Sequence, residues 1–188
     1  MDKKIDLTKE GQSIALQSIA GSGAEVLSSL IEEITRVFVG SDSDSQSVFD
    51  HVVGGGHLGL GHTSANSRVW FTKTSFPLEK RRQTFSAQKM IVVVRNPACV
   101  IQNSADRKNL LGCNDRLAVD DDYSSKFADW WSKWVPKQVE NISQAHSFIT
   151  SNVAGKVPTF YVRYEDLVSQ PASILTDLFK FVLDADSL

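Results

Sequence analysis

The chemistry this chain could perform starts with anion handling. Ala20-Gly21-Ser22-Gly23 follows the short apolar run Ile14 to Ile19 and comes just before a helical pattern. A glycine turn between a strand and a helix presents free N–H groups and the positive end of the helix dipole, both of which favour a bound anion. Such a turn also occurs as a plain strand-to-helix connection, and the four residues alone do not choose between the two. His51, His57 and His62 lie in a glycine-rich stretch but match no zinc-ligand spacing and have no Cys or acidic residue beside them, so no metal site is expected. Phe127, Trp130, Trp131, Trp134 and Val135 form an aromatic stripe at helical spacing. Most of that stripe reads as core, with one of the adjacent tryptophans turned outward as a possible partner surface. Asp120-Asp121-Asp122 reads as a solvated loop or helix cap, and Lys80-Arg81-Arg82 as a solvated basic cluster.

The elements that must position these residues follow from periodicity. Ile14 to Ile19 reads as a strand. Val26, Leu27, Leu30, Ile31, Ile34, Val37 and Phe38 fall three and four apart, which predicts a helix closed by Gly40. Val69 to Lys73 and Met90 to Val94 read as further strands, the second apolar throughout, as in a strand buried on both faces. The longest helical pattern runs from about Asp120, and Pro136 should kink it or mark a boundary. Thr159 to Arg163 predicts a fourth strand, and Pro171 opens a last helix carrying Ile174, Leu175, Leu178, Phe179 and Val182 on one face. Strands separated by helices, without hairpin signals, predict an α/β fold: a three-layer open parallel sheet flanked by helices.

Four segments in order carry a resemblance. They are the glycine turn, Val69 to Pro77 (VWFTKTSFP), Met90 to Pro97 (MIVVVRNP), and Tyr161 to Leu167 (YVRYEDL) with Pro171 and Leu178-Phe179-Lys180-Phe181 behind it. From roughly residue 13 to 185 the chain resembles the sulfotransferases, a P-loop-like fold. It is closest to a eukaryotic branch matched by Leu30 to Thr35 and by Val39-Gly40-Ser41-Asp42. The resemblance implies sulfuryl transfer from 3′-phosphoadenosine 5′-phosphosulfate (PAPS) to a hydroxyl or amine, an in-line displacement that rests on positioning and charge stabilisation.

By the same resemblance, Gly21, Ser22, Gly23, Arg95, Asn103 and Tyr164 stand at the donor-binding positions, and Lys73 and Ser75 in the catalytic motif. Ser75 occupies the place of the family's histidine base, and a serine hydroxyl is a poor base at neutral pH. Ala24, Glu25 and Val26 replace two hydroxyl residues and an adenine-stacking tryptophan, and Glu25 brings a negative charge into the anion's field. Asn103 replaces a serine but can still donate. The family's basic C-terminal loop has no counterpart before Leu188.

Composition narrows the classes. The 188 residues suit one domain, expected at 13–188 behind a tail at 1–12, and a net charge of −2 offers no general attraction for nucleic acid. Two cysteines, Cys99 and Cys113, make no disulfide scaffold, and no apolar run is long enough for a membrane span. A cytoplasmic protein without a signal peptide is the expectation.

Two functional readings remain. The first is a non-catalytic sulfotransferase-like domain acting as a structural or binding subunit in a protein assembly, with no cofactor. The second is a divergent sulfotransferase that recruits a histidine from 51 to 62 and binds PAPS or its desulfated product, 3′-phosphoadenosine 5′-phosphate. A nucleotide-binding kinase or NTPase is disfavoured because no Gly-x-x-x-x-Gly-Lys-Ser/Thr loop is present.

Overall fold

The computed structural model describes residues 14–41, 69–76, 87–107, 121–153 and 155–185. Five strands form one parallel sheet: β1 (Ile14–Ile19), β2 (Phe38–Ser41), β3 (Val69–Phe76), β4 (Lys89–Val94) and β5 (Thr159–Arg163), in the spatial order β2-β3-β1-β4-β5. β1 is central, with Leu16 aligned to Lys73 of β3 on one side and Ile91 of β4 on the other. The helices are α1 (Ala24–Thr35), α2 (Pro97–Arg107), α3 (Asp121–Phe148), α4 (Tyr164–Ser169) and α5 (Pro171–Leu183), with a π-helical turn at Ile149–Val153 after α3.

Alternation along the strands explains the layering. Ile14, Leu16, Val39, Phe71, Ile91, Val93 and Val162 point to one face, where Leu27 and Ile31 of α1, Leu167 of α4, and Leu175, Leu178 and Val182 of α5 cover them. Ala15, Met90 and Val92 point to the other face and meet Ile149. α2 and α3 are joined by Val100, Ile101 and Ile142, with Trp131, Trp134 and Val135 packed on. The expected α/β architecture is therefore present, with helices on both faces of a parallel sheet.

One helix boundary differs from the expectation, and two further details emerge. α1 stops at Thr35, because Arg36 turns left-handed at φ 56° and its N–H bonds back to the Glu32 carbonyl. Val37 and Phe38 thus leave the helix. The buried Glu32 carboxylate accepts the Val39 N–H at 2.9 Å and steers the chain into β2, a strand that the helical spacing of its residues concealed. Tyr164–Ser169 forms a helix of its own before Pro171. Of the two outcomes expected at Pro136, a boundary is not seen: α3 runs through the proline, which is exposed on the solvent side.

One buried cation fastens the last layer. Lys89, 7% exposed at the start of β4, donates to the Phe181 and Val182 carbonyls at 2.7 and 2.9 Å and pairs with Asp184 at 2.8 Å. It caps the C-terminal end of α5, where a cation meets the negative end of the dipole.

Candidate functional site

The topology creates a crevice. From β1 the chain passes through α1 to β2 on one side of the sheet, and from β4 it passes through α2 and α3 to β5 on the other. β1 and β4 are neighbours whose connections diverge at their C-terminal ends, which is where open α/β sheets bind ligands.

The glycine turn fills one side of that crevice. The Ser22 N–H bonds the Ile19 carbonyl at 2.9 Å, and Gly21 and Gly23 adopt φ values of 90° and 92° that favour glycine. Gly23 then caps α1, its carbonyl accepting from Val26 and Leu27. A Cβ at Gly23 would collide with the Tyr164 ring, so glycine is required there twice over. Ser22 is 2% exposed, and its hydroxyl has no hydrogen-bond partner among the described residues.

Arg95 closes the other side. It follows β4 directly, and its Nη1 donates to the Gly21 carbonyl at 3.1 Å. The guanidinium lies 4.2 Å from the centroid of the Tyr164 ring, a cation–π contact. Gly21, Gly23, Arg95 and Tyr164, separated by up to 143 positions (164 − 21), thus come together at the ends of β1, β4 and β5.

Lys73 reaches the same region from β3. Its ammonium pairs with Glu25 Oε1 at 2.9 Å, with the two side chains 19% and 35% exposed. Glu25 sits in the first turn of α1, where the helix dipole also favours a negative charge. Beyond its place in the field of the helix, this carboxylate neutralises Lys73. Ser75 is opposite Ser18 in the register of β3 and β1, and its side chain is outside the described set. Asn103 is half-buried on α2, and no described contact joins it to Arg95.

A carboxylate missed in the sequence organises the edge. Glu165 Oε1 accepts the Asn96 N–H at 2.9 Å, and Oε2 lies 3.3 Å from Arg163 Nε. The Asn96 bond is the main reason the Glu165 carboxyl is held below its ordinary value of 4.5, with the Arg163 and Arg95 charges adding to it and partial burial opposing it. This bond ties the residue after Arg95 to the first turn of α4, which begins with Tyr164. Acidic residues opening a helix are the signal that could have pointed to it.

The remaining candidates stand as follows. His51, His57, His62, Lys80, Arg81, Arg82 and Cys113 lie outside the described residues. No cluster of three or more metal-ligating side chains occurs among the described residues. Trp131 and Trp134 contact each other with centroids 5.9 Å apart and pack on the α2–α3 core, as most of the stripe was expected to do. Among the described residues, no helix is long and apolar enough to cross a membrane.

Chemically, the site gathers two cations, a helix N-terminus and a buried hydroxyl. Both cations already face internal partners. No family model matches the chain, and no curated protein matches it either.

Proposed function

We propose that the chain is a sulfotransferase-like, P-loop-like domain that retains the donor-site scaffold without the transfer chemistry and serves as a binding or structural subunit of a protein assembly. The ion pair between Lys73 and Glu25 carries this reading. Sulfuryl transfer needs a cation free to follow charge as it develops on the transferring group. An ammonium held 2.9 Å from a carboxylate on its own chain is already neutralised and would have to break that pair first.

The donor implied by the resemblance, PAPS, does not fit the residues as they stand. Lys73 is already paired with Glu25, and one N–H of Arg95 is already given to the Gly21 carbonyl. The serine in the base position, Ser75, adds to the case, since its hydroxyl is far from the pKa that general-base catalysis requires. The strand, glycine turn and helix at the centre of the sheet support the P-loop-like class, because that unit is the one that cradles phosphate groups. Exposed Val139 and Phe148 on α3 are consistent with a partner surface.

The test is a transfer assay with labelled PAPS over a panel of hydroxyl and amine acceptors. The expected result is no transfer above the protein-free control. Transfer that disappears in Lys73→Met would establish the active alternative, with a histidine from 51 to 62 as the base to seek.

A further inference from the structure

Glu25 stands where an external oxyanion would stand. Three features that attract negative charge converge on its carboxylate: the N-terminal turn of a 12-residue helix, the Lys73 ammonium at 2.9 Å, and the glycine turn just before it. A carboxylate satisfies the charge and supplies two acceptor oxygens, but it donates nothing and leaves the turn's own donors to find other partners. The Ser22 hydroxyl is the sign of this. It is buried in the turn at 2% exposure and has no partner among the described residues, whereas buried hydroxyls are nearly always bonded. A tetrahedral oxyanion has more acceptor oxygens than a carboxylate and so has one to spare for such a donor.

We infer that Glu25 is an internal plug: its side chain occupies an intact oxyanion site as a tethered substitute anion and thereby keeps free sulfate or phosphate esters out. This inference rests on the non-catalytic reading and explains how the site is silenced. The tether makes the competition one-sided, because an attached carboxylate acts at a high effective concentration while a free anion must be drawn from solution. Arg95 contributes by holding the turn through the Gly21 carbonyl, so the cradle remains shaped without a ligand.

The probe is inorganic sulfate, titrated against chloride at matched ionic strength and followed by the sulfate-dependent rise in melting temperature within each variant. Wild type should show no saturable rise. Glu25→Gln keeps the side-chain shape and removes the charge, and Glu25→Ser clears the space. Both should gain saturable sulfate binding at least about tenfold tighter than any wild-type response. Adding Lys73→Met should abolish the gain, and adding Ser22→Ala should weaken it. If Glu25→Ser does not fold, Glu25→Gln decides alone.

Variants that respond like wild type, or a gain that survives Lys73→Met, would overturn the plug. The wild type is titrated in parallel with 3′-phosphoadenosine 5′-phosphate. Binding there would instead overturn the non-catalytic reading, whereas silence toward that nucleotide, with both Glu25 variants also silent toward sulfate, removes the plug alone.

Discussion

Removing the Glu25 carboxylate and removing the Lys73 ammonium should have unequal effects. Glu25→Gln leaves the more buried partner, Lys73 at 19% exposure, without its counter-charge, and should cost about 1 kcal/mol. Lys73→Met leaves Glu25 in a helix first turn that still favours it, and should cost less. A double-mutant cycle by urea denaturation checks this, with an expected coupling of about 1 kcal/mol. Gly23→Ala should be more damaging, losing roughly 2–4 kcal/mol, because a φ of 92° and the Tyr164 ring both oppose a Cβ. Adding Tyr164→Ala should restore only part of the urea midpoint, since the backbone strain remains. Glu165 predicts a pH effect. Its carboxyl is lowered in the folded protein, so its contribution is complete above the ordinary value of 4.5 and fades as pH falls through the lowered folded value. Wild type and Glu165→Gln should therefore differ by a constant amount at neutral pH and converge in acid, as measured by denaturation at a series of pH values. At this scale, Gly21 and Gly23 lie in the turn after β1 while Arg95 and Tyr164 directly follow β4 and β5, and strand ends gather at one edge of a parallel sheet. The partnership of Glu25 with Lys73 was not legible, because it depends on β3 lying beside β1, a neighbourhood that a separation of 48 positions does not specify.

The elements were readable where a single period ran uninterrupted and ambiguous where two overlapped. The α1 stripe at Leu27 and Ile31 is fully buried, as its spacing required, while Ile34 on the same notional stripe is 53% exposed. Helical spacing continued into Val37 and Phe38 by coincidence, and the left-handed Arg36 that ends the helix carries no glycine signal. In α3 the helix continues through Pro136, which lies on the exposed side, where a lost bond can be met by water. Lys89, just before the apolar run Met90 to Val94, anchors α5 to β4. Lys89→Met should cost about 2 kcal/mol, because two buried carbonyls and Asp184 lose a charged partner. Hydrogen exchange should show the loss concentrated in the last turn of α5, while the α1 amides keep their protection.

For the molecule as a whole, alternating apolar runs and amphipathic helices were enough to call a covered parallel sheet, and that sheet is present. The short β2 strand was missed, and with it the full order β2-β3-β1-β4-β5 that opens the crevice between β1 and β4. On the proposed reading, the Lys73–Glu25 pair and the engaged Arg95 keep a nucleotide donor out. The most direct measurement is calorimetric titration of the wild-type chain with 3′-phosphoadenosine 5′-phosphate at low ionic strength, where electrostatic binding would be strongest. No saturable heat is expected at any nucleotide concentration that the titration reaches. Saturable binding that is lost in Arg95→Ala and in Lys73→Met would contradict it.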